Sequence, residues 1–379
     1  MSRGSFANFA GVRVKFIDLD GQYRQLKTKI DQAVLRVLEH GQYVFGPEIK
    51  QLEDALSGYV GVKHAVVMNS GTTALEVALL ALGVGPGDEV ITTAYSFFAT
   101  AEVIARVGAV PVLVDIHPET YNINETLIES VITDKTKAIM PVSLYGQPAN
   151  YRVINAIAEK HGLPVIEDGA QSFGATHHGQ RSCGLTTIGC TSFFPSKPLG
   201  CYGDGGACFT NDDALAETMR CLINHGQRER YVHDVMGCNG RMASIQAAVL
   251  LEKLAVFEDE VKQRQQVAQW YQQSLPQHMV QPLVTSDNTS VYGQYTIRVD
   301  DRTVIQKALQ GHGVPTAVHY PVGMHQQPAM KAYACASHSF PNTEAAAQAV
   351  MSLPFYPAMQ QADVEKVSHH LEATLKQGV

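Results

Sequence analysis

No stretch of this chain approaches the ~18 consecutive apolar residues of a membrane-spanning helix, so no span is expected. A basic excess is also missing. Lys and Arg number 29 against 36 Asp and Glu, a formal net charge of −7. No dense Lys/Arg run with interleaved aromatics occurs, which argues against a nucleic-acid partner. No two of the seven cysteines are spaced as Cys-x-x-Cys, so a zinc ribbon has little support and no metal site is expected. Six of the cysteines fall between Cys183 and Cys238, and all read as reduced, packed thiols of an intracellular protein. Residues 1–12 are too polar for a secretory signal, and no internal repeat or low-complexity tract stands out. The expected compartment is the cytoplasm.

What is present is an ordinary globular composition, 45% hydrophobic and 17% charged, over 379 residues. At ~100–200 residues per domain, two or three domains are expected. Leu26, Ile30, Ala33, Val34, Val37 and Leu38 recur at helical spacing, and residues 48–59 form a second amphipathic helix. Short apolar runs follow at 65–68, 90–92, 110–114, 138–142, 164–166, 191–194 and 207–210. Helical stretches at 74–82, 98–107 and 151–161 separate several of them. This alternation predicts an α/β domain with a mostly parallel sheet flanked by helices on both faces. A long helix spans 241–275, its second half (258–273) polar enough to bridge toward another element, and Pro276 ends it. The expected division is an N-terminal extension (1–15), a large domain (16–275) and a smaller C-terminal α+β domain (276–379). The last contains strands at 291–299 and 316–320 and helices at 304–312, 343–352 and 362–376.

In an open parallel sheet, ligands bind beyond the carboxyl ends of the strands, where helix N-termini point. After the first strand, Ser70-Gly71-Thr72-Thr73 opens a helix and can cradle a phosphate with free N–H groups and hydroxyls. The other reading is a plain Ser/Thr helix cap. After the second, Tyr95-Ser96-Phe97-Phe98 can present a ring to a planar ligand, or simply pack in the core. Asp168, after the 164–166 strand, is a carboxylate that is costly to bury unless it meets a partner such as a protonated heterocyclic nitrogen; the alternative is a cap. The next strand ends at Ser192-Phe193-Phe194-Pro195-Ser196-Lys197, where a lysine lies between a serine and a glycine-rich turn. Enclosure there would lower its basicity and make it a nucleophile, whereas a solvated loop would leave it inert. Together the four strand ends match what pyridoxal 5'-phosphate requires: an anchored phosphate, a stacked ring, a carboxylate at the pyridine nitrogen and a Schiff-base lysine.

Gly71-Thr72-Thr73-Ala74-Leu75, Glu167-Asp168-Gly169-Ala170-Gln171-Ser172, Ser192 to Lys197 and Gly237-Cys238-Asn239-Gly240-Arg241-Met242 resemble motifs of the DegT/DnrJ/StrS family. These are nucleotide-sugar aminotransferases of the aspartate-aminotransferase (type I) fold, and the similarity runs from about Phe16 to the C-terminus. The resemblance implies that Lys197 is the Schiff-base lysine and proton shuttle, that Asp168 pairs with the pyridine nitrogen and that Gln171 contacts the ring hydroxyl. It further implies that Phe97 stacks on the ring and that Gly71, Thr72, Thr73 and Ser192 hold the phosphate. Asn239 matches the residue that reaches the neighbouring subunit's cofactor, which implies a homodimer with shared active sites. Arg241, His319, Tyr320 and His325 match the substrate side; for the histidines, structural hydrogen bonding is the alternative. Relatives with His at the lysine position dehydrate, so Lys197 favours transamination.

The resemblance thus implies a ping-pong enzyme in which glutamate converts the cofactor to pyridoxamine phosphate, and the amine then passes to a keto sugar. The wording around Pro198–Ala207 and His225-Gly226-Gln227 is most similar to the subgroup acting at C3 of UDP-2-acetamido-2-deoxy-3-oxo-glucuronate, which implies a role in surface polysaccharide (O-antigen) sugar biosynthesis. Alternatives are a 4-oxo-6-deoxy sugar aminotransferase, a related lyase or dehydratase, and a regulatory protein that binds the cofactor without turnover.

Overall fold

The structure, a computed structural model, describes residues 14–376. The expected extension therefore lies outside the described residues except for Val14 and Lys15. In chain order, α1 (Leu19–His40) and α2 (Pro47–Val60) precede β1 (His64–Met68), α3 (Gly71–Ala81), β2 (Glu89–Thr93), α4 (Ala99–Arg106) and β3 (Val110–Val114). Then come β4 (Thr136–Met140), α5 (Tyr151–His161), β5 (Ile166–Asp168) and a small pair, β6 (Thr176–His177) and β7 (Gln180–Arg181). β8 (Ile188–Ser192), β9 (Gly206–Thr210), α6 (Asp213–Leu222) and a hairpin of β10 (Gln227–Glu229) and β11 (Val232–His233) follow. The 31-residue α7 (Ser244–Ser274) leads to β12 (Tyr295–Arg298), α8 (Arg302–Gly311), α9 (Pro341–Ala349), β13 (Val350–Leu353) and α10 (Gln361–Lys376).

Seven strands make one sheet in the order β1-β9-β8-β5-β4-β2-β3. The β5–β4 junction is carried by Asp168 N donating to Pro141 O (2.9 Å) and Ser143 N to Asp168 O (2.9 Å). The sheet is parallel except for β9, which pairs antiparallel with β1 on one side and β8 on the other. Its strands are buried on both faces, which is why they read as continuous apolar runs without alternation. On one face, Leu75 and Leu79 of α3 and Met219 and Leu222 of α6 cover Val66, Ile188 and Cys208. On the other, Leu52 and Leu56 of α2 and Leu250 and Phe257 of α7 meet Val67, Phe193 and Phe209. None of the seven cysteines is in a disulfide, and all but Cys238 are buried.

A second core gathers Val14, α7 residues Val267 and Tyr271, β12 residues Tyr295 and Ile297, Leu353 and Leu371. The division we propose near residue 276 is thus crossed by α7, whose last turns, like Val14, pack with the smaller unit. Two elements there differ from expectation. Residues 350–352, expected at the end of a helix, pair with Leu353 as an antiparallel strand against β12, because Val350 and Met351 fill the sheet opposite Arg298 and Ile297. The strand expected at 316–320 is reduced to a single bridge between Ala317 and Ser352. The polar second half of α7 does bridge to another element, but by burying charge: Glu260 and Arg264 lie inside.

Candidate active site

The ends of β1, β2, β5 and β8 open onto one cavity of about 500 Å³, closed on the far side by His319, Tyr320 and Gln294. Two glycines let these ends converge. A Cβ on Gly71 would lie 2.6 Å from Ser192 Cβ, and one on Gly206 would lie 2.4 Å from the backbone carbon of Ser70. Only glycine permits helix α3 to start this close to the β8–β9 pair.

At that start, Ser70 caps the helix, its Oγ accepting from Thr73 N at 3.0 Å. Cap and cradle are therefore not exclusive readings. Ser70 satisfies one donor, while the first N–H groups, at Gly71 and Thr72, have no partner within the helix, and both residues line the cavity with Ser192. Thr73 does not line the cavity; its hydroxyl bonds Ser70 Oγ at 2.9 Å. Phe97 stands at the cavity wall with 57% of its surface exposed, tilted against Tyr320 at 6.0 Å between ring centres.

Asp168 ends β5 as a buried carboxylate. Thr100 donates to Oδ2 (2.8 Å) and Ala170 N to Oδ1 (3.2 Å). Burial pushes its pKa up, those two hydrogen bonds and the Lys197 charge pull it back, and burial prevails. The Lys197 amine opens into the same cavity, keeping some accessible surface there while protein encloses it elsewhere; burial lowers its pKa and Asp168 opposes that. Among the described residues Asp168 makes no ion pair and the Lys197 amine no hydrogen bond. Gln171 is fixed at both ends of its amide, accepting from Tyr145 N (2.8 Å) and donating to Tyr320 Oη (3.2 Å).

His319 and Tyr320 are held from the large domain. Tyr95 Oη donates to Tyr320 O (2.8 Å) and accepts from Tyr320 N (2.7 Å), and Tyr145 Oη donates to His319 O. Burial first, then the nearby Lys197, lowers the His319 pKa to about 4, so its imidazole is neutral at physiological pH.

Three expected residues lie apart. Asn239 is exposed, its carbonyl accepting from Asn69 Nδ2 at 2.9 Å. Arg241 donates to Asn224 Oδ1 (3.0 Å), its guanidinium 6.0 Å from the Phe45 ring centre. His325 is buried against Phe340, with Nε2 3.3 Å from Glu344 Oε1. His325 does not line the cavity, and its contacts with Phe340 and Glu344 are those of the structural alternative. Conversely, Thr100, Ser96, Asp204 and Gln294 line the cavity without having been singled out. Thr100 was the findable one, since a hydroxyl three residues after Phe97 lies at the first turn of α4.

These residues fit pyridoxal phosphate on structural grounds. Asp168 is a buried carboxylate lacking a cationic partner that a protonated ring nitrogen would supply. The α3 start and Ser192 offer donors for a phosphate, and Lys197 offers an enclosed amine to the same cavity. No group of three or more His, Cys, Asp or Glu among the described residues could hold a metal ion, and none of their helices is long and apolar enough to cross a membrane.

Residues 24–372 match the model of the DegT/DnrJ/EryC1/StrS aminotransferase family. The chain is 53% identical to the UDP-2-acetamido-2-deoxy-3-oxo-D-glucuronate aminotransferase of Pseudomonas aeruginosa, over 93% of this chain and 98% of that protein. It is 42% identical to a pleiotropic regulatory protein of Geobacillus stearothermophilus, over 94% and 98% of the two chains. Among solved structures it superposes on NtdA from Bacillus subtilis with bound cofactor PMP, at a TM-score of 0.90 and 32% identity over 98% of this chain and 87% of that one.

Proposed function

The chain belongs to the DegT/DnrJ/EryC1/StrS aminotransferase family, and from that premise we propose that it transfers the amino group of glutamate to C3 of UDP-2-acetamido-2-deoxy-3-oxo-glucuronate. It is a pyridoxal-phosphate-dependent sugar aminotransferase. The observation that carries the reading is the meeting of Lys197, Asp168, Gln171 and the α3 start in one cavity. The choice of sugar leans on the Pseudomonas relative, whose name specifies that substrate.

Bound there, the cofactor supplies an electron sink for a carbanion and carries the amine between two half-reactions. Asp168, aligned by Thr100 and Ala170, would hold the ring nitrogen in its protonated form. Gln171, locked between Tyr145 and Tyr320, would meet the ring hydroxyl, and Gly71, Thr72 and Ser192 would take the phosphate. Phe97 would cover one ring face. The Lys197 amine would move the proton from the amine-bearing carbon of glutamate to the cofactor carbon and, in the other half-reaction, one from that carbon to the sugar carbon that accepts the amine, which needs a base whose pKa lies below that of a surface lysine. Neutral His319 and Tyr320 would line the sugar side.

Offering the amino-loaded enzyme a panel of 3-oxo and 4-oxo nucleotide sugars tests the sugar assignment. Turnover with the 3-oxo-glucuronate and at least about 100-fold less with 4-oxo sugars is expected, since a site built for one keto position leaves polar groups unpaired with the other. Turnover confined to 4-oxo sugars would overturn it. The name of the Geobacillus relative raises a non-catalytic reading, against which the intact Lys197, Asp168 and Gln171 set stands. Failure of glutamate to convert the cofactor at all would favour that reading.

We also propose a homodimer. Tyr231 (77% exposed) and Met236 (92%) on and beside the β10–β11 hairpin, and Tyr43 to Phe45 before α2, leave large apolar side chains open to solvent, as interfaces do. Exposed Asn239 and half-buried Arg241 follow the first group closely in sequence. Sedimentation equilibrium should return twice the 41.2-kDa chain mass; a monomer that is fully active would refute the shared site.

A further inference from the structure

Behind the cavity wall formed by Ser196 and Lys197 lies a second, much smaller cavity of about 40 Å³. It is lined by that same segment and by Gln22, Glu260 and Arg264. Glu260 and Arg264, four residues apart on α7, are 8% and 6% exposed. Glu260 Oε1 accepts from Gln22 Nε2 at 2.7 Å, while Oε2 is buried without a partner among the described residues. The Arg264 Nη1 group donates to the carbonyls of Tyr292 (3.2 Å) and Val291 (3.5 Å), while Nε is buried without a partner among the described residues. One orphan accepts and the other donates, both border one cavity, and the two side chains make no direct ion pair among the described residues. A third charge on the same helix face, Lys253, is 2% exposed and donates to the Gly200 carbonyl at the end of the lysine turn, under the ring of Tyr202 at 5.1 Å.

Buried polar atoms almost always find a partner, and a polar cavity above ~10–15 Å³ holds a water. We propose that a buried water in this cavity accepts from Arg264 Nε and donates to Glu260 Oε2, and that Glu260, Arg264 and Lys253 are positioning residues that set the Lys197 segment and tie it to the start of the smaller unit. The placement supports both halves. Lys253 grips the turn at Gly200, and Glu260 shares the small cavity with Ser196 and Lys197. Arg264 grips Val291 and Tyr292, just ahead of Gln294 on the far wall of the main cavity. A rigid 31-residue helix thus carries the base on one side of the site and the segment leading to the other wall. Its catalytic consequence rests on the reading of Lys197 as the reactive lysine; the water and the clamp do not.

The test uses the cofactor-loaded enzyme. A high-resolution crystal structure should show density for a water within hydrogen-bonding distance of both Glu260 Oε2 and Arg264 Nε; a dry cavity overturns the bridge. In Glu260→Gln, hydrogen exchange at the Lys197 and Cys201 amides should quicken about tenfold, and kcat should fall about tenfold with KM for glutamate within about twofold. Arg264→Lys keeps the charge but loses the Nε donor, and exchange should quicken both at 195–202 and at 291–294. Acceleration confined to 291–294, or none in either variant, overturns the clamp. Faster exchange at 195–202 with unchanged kcat supports the clamp and instead counts against Lys197 as the base. If one variant fails to fold, the other alone still decides.

Discussion

Lys197→Ala is expected to be catalytically dead, with turnover down by at least about 10⁴-fold, because both covalent attachment of the cofactor and the proton transfer are lost together. The visible absorbance that marks a cofactor joined to a lysine should vanish with it. Folding should survive. The Lys197 amine makes no hydrogen bond among the described residues and is depressed in pKa by burial, so its removal relieves a desolvation cost and breaks no bond. The informative measurement is steady-state turnover beside thermal melting and the cofactor spectrum. An alanine variant that stays folded, keeps the absorbance and retains even about 1% of the activity would end the assignment. Lys197→Arg should be nearly as inactive, since guanidinium stays protonated and cannot serve as a base.

Asp168→Asn should cost about 10³-fold in the glutamate half-reaction. A carboxylate ~4 Å from a ring cation, at the effective dielectric of ~20 suited to protein sites, is worth about 4 kcal/mol, or three decades in rate. The amide keeps the shape and can still meet Ala170 N and Thr100 Oγ1, so the loss isolates charge from packing. The cofactor-free protein should respond in the opposite direction. Burial raises the folded-state pKa of Asp168 above its ordinary 3.8, so the folded form binds that proton more tightly than the unfolded chain does. Stability then falls as pH rises from the unfolded value through the folded one, and the asparagine variant escapes the fall. Without cofactor, Asp168→Asn should therefore melt higher than the parent at neutral pH, with the gap closing below about pH 3.8. With cofactor the order should reverse. A rate within about tenfold of the parent would mean that the carboxylate does not act on the ring nitrogen.

The two residues also illustrate what kind of information a chain carries locally. Lys197 and Asp168 were legible because each follows a run of buried strand residues, and in a parallel sheet the ends of such runs face one side. Gly71 and Ser192 were legible for the same reason, and the Gly71–Ser192 contact is where two strand ends touch. Burial class followed equally well: Val66, Ile91, Ile139 and Ile188 are fully enclosed, as unbroken apolar runs in a parallel sheet demand. Where local pattern was ambiguous, the outcome turned on partners far away in sequence. Val350 to Ser352 is expected to close a helix yet pairs with β12, more than fifty residues earlier. β9 reads like its neighbours but inserts antiparallel between β1 and β8. Direction within a sheet is set by the path of the connection, which side-chain pattern does not record.

His325 and the polar half of α7 mark the same boundary from the other side. A histidine five residues past Tyr320 has no local reason to leave the cavity; the turn that buries it beside Phe340 and Glu344 is made by packing. Glu260 and Arg264 look solvated in sequence, because charge usually lies outside, and only the lysine segment and the smaller unit closing over them place them inside. For Lys197 itself, the chain alone determined that a lysine follows a buried strand at the ligand-binding edge of the sheet. Only the tertiary structure decided that its amine is enclosed, and so pushed toward the neutral form, and that Asp168 shares its cavity and opposes that shift. The reason is physical. A strand end is a local property, whereas desolvation and the field on an amine depend on every group that packs around it.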